Sequence, residues 1–184
     1  MRTCWIIADD FASPHIEPEQ IKKIAPVWGS WRTWRAWHTD NVLCDDLPKA
    51  KELVQRAFHS VCNFYTANKN FAELGRLNKI NLYEGEFPGE LDHREQIIAM
   101  HLVAENNDLV LLLGFDLTDK KFDDKFESHK HLNYINAFRA TLNTYPETQW
   151  VLIDHPGEVS KKITPPNLTK DSFDSVIQLL TANS

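Results

Sequence analysis

The six residues Asp108–Leu113, DLVLLL, constrain the fold of this chain more than any other stretch. After the aspartate every side chain is apolar, so no position is left to face water. A strand with one solvated face alternates apolar and polar residues, whereas a strand covered on both faces reads as an unbroken apolar run. The run is also too short for an ordinary core helix. DLVLLL therefore reads as a central strand with helices packed on both sides of its sheet.

Other strand-length runs recur at 3–8 (TCWIIA), 41–44 (NVLC), 61–66 (VCNFYT), 80–83 (INLY) and 149–153 (QWVLI). Helix-period segments lie between them. LPKAKELVQRAF stripes Leu47, Ala50, Leu53, Val54 and Ala57, and REQIIAMHLVAEN carries Ile97, Ile98, Met100, Leu102 and Val103. NYINAFRATLNTY stripes Ile135, Phe138 and Leu142, and TKDSFDSVIQLL opens on a Thr-x-x-Ser cap signal. Strands alternating with helices make βαβ units. The expected fold is α/β: one doubly wound, Rossmann-like domain over residues 1–184, with a mainly parallel sheet of about six strands and helices on both faces. Ligands of such folds sit beyond the carboxyl ends of the strands, near the point where strand order reverses.

The strand ends therefore carry the candidate site. The first strand runs into ADDFASPH, with no glycine before Gly29, and no GxxxxGK occurs anywhere. Gly-rich dinucleotide binding and P-loop chemistry are not expected. Asp9 and Asp10 read either as ligands of a ribose or a divalent cation, or as a strand-ending turn. The second strand ends in CDDLPKA, where Asp46 precedes Pro48 and reads as a helix N-cap, leaving Asp45 to face a ligand. Two such Asp pairs would suit Mg²⁺ bridging phosphates if their strands are adjacent, and a metal-dependent phosphohydrolase is one function they allow. Gly114 permits a close turn after LVLLL, and Asp116 stands just past that strand end. Asp154 and His155 hold the equivalent place after QWVLI. Ser128-His129-Lys130-His131 reads as the entry to a helix. His129 and His131 are there either as solvent-exposed first-turn residues or as a site pair, and a histidine near a cleft is the usual general base near neutral pH.

WGSWRTWRAW, residues 28–37, holds four of the six tryptophans at three-residue spacing. On an ideal helix Trp28 and Trp37 point to opposite sides, so the rings cannot share one stripe. Three roles stay open: core packing, a protein interface through Trp28, Trp31, Trp34 and Trp37, or stacking on a ligand by Trp31 with Arg32.

Twenty basic against 26 acidic residues leave a net charge of −6, which does not favour general nucleic-acid binding. The apolar start is too short for a secretory leader and nothing has membrane-spanning length, so a cytoplasmic protein without a membrane role is expected. Cys4, Cys44 and Cys62 lie in apolar runs without CxxC spacing and read as buried free thiols. No structural metal site is expected.

The stretch HREQIIAMHLVAENNDLVLLLGFDL resembles the helix–strand unit shared by bacterial family-42 sialyltransferases and archaeal 6-hydroxymethylpterin diphosphokinase-like proteins. In these an apolar IALxxA-type helix leads into a strand ending in Gly-x-Asp. SHKHLNYINAF…PETQWVLIDHPGE is also similar to the sialyltransferases, and the resemblance runs from His93 to Glu158. Those families follow their first strand with a Gly/Asn-Gly-Pro-Ser turn that holds the nucleotide phosphate and sugar, where this chain has ADDFASPH. The resemblance implies a protein that binds a nucleotide or nucleotide sugar, with glycosyltransferase-like chemistry. His129, six residues before Ile135, is then the base for an acceptor hydroxyl. Asp116 and Asp154 position substrate, Asp9 or Asp10 contacts the nucleotide or its metal, and Arg94 offsets phosphate charge. The alternative is a non-catalytic binding or assembly protein that uses the tryptophan segment as its interface.

Overall fold

A computed structural model describes residues 1–9, 11–55, 62–67, 80–83 and 94–182. Asp10, His93 and the parts of the expected helix and strand that fall on residues 56–61 lie outside them. The described elements are β1 (Thr3–Ile7), α1 (Pro18–Lys22), β2 (Val27–Ser30), α2 (Trp31–Trp37), β3 (Asn41–Leu43), α3 (Leu47–Gln55), β4 (Asn63–Thr66) and β5 (Ile80–Leu82). They continue with α4 (Arg94–Ala104), β6 (Leu109–Leu113), α5 (Lys125–Thr144), β7 (Gln149–Ile153), β8 (Leu168–Asp171) and α6 (Phe173–Ala182). The strands form one sheet of eight in the order β5-β4-β3-β2-β1-β6-β7-β8. All seven pairings are parallel.

The apolar run does what its composition requires. Val110 and Leu112 enter a core with α4 and α5, while Leu111 and Leu113 enter a second core with α1, α2 and α6. All four are 0% exposed, as a strand covered on both faces must be. A third cluster joins Val42, Cys44 and Phe64 to Ala50 and Leu53 of α3. Asp46 is the α3 cap: its carboxylate accepts the Lys49 N–H at 3.0 Å.

Two strands beyond the expected six are β2 and β8, and both correct the sequence reading. The tryptophan segment breaks at Ser30, whose hydroxyl caps α2 by accepting N–H bonds from Arg32 (3.1 Å) and Thr33 (3.4 Å). Trp28 therefore lies in a strand, where it packs on Tyr65 with ring centroids 4.5 Å apart. Trp31 and Trp34 pack half-buried on the third cluster, and Trp37 is buried in the second. Thr169, expected in a helix, belongs to β8, and α6 starts at Phe173 with Ser172 accepting the Ser175 N–H at 3.2 Å. Likewise α5 begins at Lys125, capped by Asp124. His129 and His131 thus stand in its second turn rather than at its entry.

Between α4 and α5, His101 carries a pH dependence. Thr141 Oγ1 donates to Ala137 O at 3.0 Å, so it accepts from His101 Nε2 at 3.1 Å, and Nδ1 then accepts from Tyr145 OH at 3.2 Å. The ring is neutral in this network. Burial lowers its pKa below the ordinary 6.5, with Glu105 acting the other way. A histidine with a depressed folded pKa gives full stability above its unfolded value, and loses it as pH falls through the folded one. The urea midpoint is expected to drop as pH falls below 6.5, and His101→Gln is expected to flatten that step. An equal drop in both proteins would remove His101 as its cause.

Candidate functional site

Strand order reverses between β1 and β6, and the carboxyl edge there forms a crevice. The β1 end is tied to the β6 end by the Ala8 N–H bond to Leu113 O, 2.8 Å. Just beyond, Gly114 takes a left-handed φ of +76°, and a Cβ on it would lie 2.6 Å from Phe11 Cβ. Phe11, from the turn after β1, thus packs directly on Gly114. Its position is fixed from behind, because Trp37 Nε1 donates to Phe11 O at 3.0 Å and the two rings stack at 5.2 Å. A pocket of about 270 Å³ remains, walled by Phe11, Phe115, Ile153 and Pro156 and edged by Asp116, Asp154 and His155.

The polar groups of this crevice differ in what they have left to offer. Asp116 Oδ1 accepts from the Thr118 hydroxyl (2.7 Å) and amide (3.2 Å), and Oδ2 pairs with Lys120 at 2.5 Å. Burial alone would raise its carboxyl, but Lys120 and Thr118 outweigh burial and hold it below the ordinary carboxylate range. Asp116 is therefore an anion with one lone pair, on Oδ2, left for a ligand hydroxyl. Asp154 sits at φ +48°, and its carboxylate accepts the Phe173 N–H at 3.1 Å, which makes it a cap for α6. His155 Nε2 accepts the Leu117 N–H at 3.3 Å while Nδ1 lies 2.9 Å from Gly157 O, so Nδ1 carries the proton and both nitrogens are engaged.

On the other side of β1, a second polar cluster stands over the ends of β1, β3, β4 and β5. Asp45 accepts from Tyr83 OH (2.7 Å), Thr66 Oγ1 (3.2 Å) and the Ala67 N–H (2.8 Å). Asp9 accepts from the hydroxyls of Ser30 and Thr33. Burial, then the charges of Asp9 and Asp45, push the Glu95 carboxyl above its ordinary range, against the pull of Arg32. Burial and the bond to Asp45 likewise push the Tyr83 phenol up. Arg94 opens α4 beside them, its Nε buried without a hydrogen-bond partner among the described residues.

Comparison with family models, curated proteins and solved structures finds no match to this chain.

Of the residues singled out in the sequence, Gly114, Asp116, Asp154 and His155 converge on the crevice, and Asp9, Asp45, Arg94 and Arg32 on the second cluster. His129 is exposed on α5, while His131 Nε2 lies 2.9 Å from Thr118 O. Trp31 packs towards α3, with Lys49 Nζ 4.9 Å from its ring centroid, and is not part of the crevice wall. Among the described residues no group of three or more His, Cys, Asp or Glu side chains is placed to hold a metal ion, and no helix is long and apolar enough to cross a membrane. The cysteines are buried free thiols, with Cys4 and Cys44 pushed up to about 12 by burial. The sequence reading passed over Phe11, Tyr83, Glu95 and Lys120. Only Lys120 left a signal, four residues after Asp116.

Proposed function

We propose that this protein binds a nucleotide or nucleotide sugar across the carboxyl edge of its sheet. The observation that carries this is the crevice at the β1/β6 reversal, where an aromatic and apolar wall faces the ionised Asp116. Its volume of about 270 Å³ is close to the lower end of small-molecule sites, roughly 300–1,000 Å³. A flat ring fits against Phe11 and Pro156, and the remaining lone pair of the Asp116 carboxylate takes a hydroxyl of a ribose or hexose. The Asp9–Asp45–Glu95 cluster extends the same hydroxyl-accepting edge across β1.

Transfer of the sugar to an acceptor would need a base. His155 has both nitrogens engaged and His131 has one, whereas His129 stands exposed. The sialyltransferase resemblance gives that role to His129, which is not among the residues lining the crevice, and to Asp116 the positioning of the donor.

A thermal-shift screen against nucleosides, nucleotides and nucleotide sugars tests the binding step. A ligand at 100 times its Kd stabilises by about 2.7 kcal/mol, a rise in Tm of roughly 5–10 °C for a domain of this size. Asp116→Asn is expected to remove most of that rise while leaving the unliganded Tm within a few degrees. No shift with any member of the screen would sink the reading.

A further inference from the structure

We propose that the shallow recess between the β6–α5 turn and the start of α5 is an oxyanion subsite, which takes the phosphate of the ligand bound in the crevice. The inference rests on the nucleotide reading. It begins with the turn after β1: ADDFASPH lacks the glycines that let backbone amides approach a phosphate, so a phosphorylated ligand needs other groups to take its charge. A second recess of about 140 Å³ lies on the far side of residues 116–120, lined in part by Asp119, Lys120, Ser128, His131 and Lys162. That is too small for a nucleoside and enough for one oxyanion group.

The turn is the partition between the two spaces. Asp116 edges the crevice, Lys120 lines the recess, and their 2.5 Å ion pair spans the wall. The His131 ring is fixed against this wall by its bond to Thr118 O, 2.9 Å. Lys120 and Lys162 bring two ammonium groups to the recess, against the Asp119 carboxylate in it and Asp116 across the wall. Asp119 does not close it, because its carboxylate is turned to the Ser160 hydroxyl at 2.6 Å. Lys162 has no salt-bridge partner among the described residues. An anion arriving here shares Lys162 with Asp119 and Lys120 with Asp116, and charge-assisted bonds of this kind are the strong ones.

The test titrates the full chain, at fixed ionic strength, with a nucleoside, its 5′-monophosphate and inorganic phosphate, each against wild type, Lys162→Gln and Lys161→Gln. Lys161→Gln removes the same charge one residue outside the recess. The monophosphate is expected to bind about tenfold more tightly than the nucleoside in wild type and in Lys161→Gln, with most of that advantage lost in Lys162→Gln. A nucleoside that binds as well as its monophosphate overturns the subsite but leaves the crevice reading standing. Equal losses in the two lysine variants overturn it as well, since the effect is then one of general charge. Inorganic phosphate that binds through Lys162 while no nucleoside binds supports the subsite and overturns the crevice reading. Absence of binding by both phosphate and monophosphate overturns the subsite.

Discussion

Gly114→Ala is expected to lower stability by about 2–5 kcal/mol, which combines two costs of different origin. The first is conformational: at φ +76° any L side chain is strained, at about 1–2 kcal/mol. The second is steric. The new Cβ would lie 2.6 Å from Phe11 Cβ and 2.7–2.8 Å from its ring carbons. A Cβ is not the far end of a flexible side chain, so the β1 turn itself has to move. That movement pulls on the Trp37 Nε1 bond to Phe11 O and on the stacked rings behind it, an overpacking cost of about 1–3 kcal/mol. Urea unfolding of the single and double variants separates the two. In a Phe11→Gly background, which removes both the ring and its Cβ, Gly114→Ala should cost only the conformational part. Phe11→Ala should rescue less, because its Cβ remains. A cost unchanged by Phe11→Gly would mean that the contact is not what makes Gly114 necessary. The same variant should lose the nucleotide-dependent rise in Tm, since the displaced Phe11 is a wall of the crevice.

The fold was legible where a segment answers to its neighbours on both faces. β6 had to be central because nothing in LVLLL tolerates water, and Asp46 had to cap α3 because it stands before Leu-Pro at a helix start. β8 gave no such sign: LTKD exposes its two middle residues at the sheet edge, so its pattern is set by position in the sheet and not by burial. The tryptophans misled for another reason. Their three-residue spacing gives no sign of a break, yet Ser30 ends a strand and caps a helix in one step, and its hydroxyl also answers to Asp9, 21 residues earlier. The site divides along the same line. Strand ends placed Gly114, Asp116, Asp154 and His155 at one edge, since a parallel sheet leaves its carboxyl ends together. What each group does there depends on loops folding back. The cap that Asp154 gives α6, the two bonds of His155, and the closure of Phe11 over Gly114 all join residues far apart in sequence. Local spacing carries no trace of them.

Asn167→Asp is expected to cost about 3–5 kcal/mol at pH 7, as an uncompensated buried charge does. Asn167 is 4% exposed, and its amide Nδ2 reaches three carbonyl oxygens: Leu142 (3.3 Å), Tyr145 (3.0 Å) and Thr148 (3.0 Å). Leu142 lies in the last turn of α5, where carbonyls lack helical partners and the helix dipole is negative. One side chain therefore closes α5 and fixes the turn into β7. Asn167→Leu leaves those carbonyls unsatisfied, at about 1–3 kcal/mol. The carboxylate does worse, because it sets a negative charge against three oxygens and the helix end. The difference has a pH signature. Buried among acceptors, the new carboxyl has a folded pKa above its unfolded value of about 3.9, so its relative stability is greatest below that value and is lost as pH rises through the folded pKa. Protonated, it can donate one hydrogen bond to a carbonyl. The deficit of Asn167→Asp against wild type should therefore shrink as pH falls towards 4, while that of Asn167→Leu stays nearly constant. Urea midpoints of the three proteins from pH 7 to 4 decide it: parallel curves for the two variants would mean that the amide fills space at the end of α5 rather than holding its carbonyls.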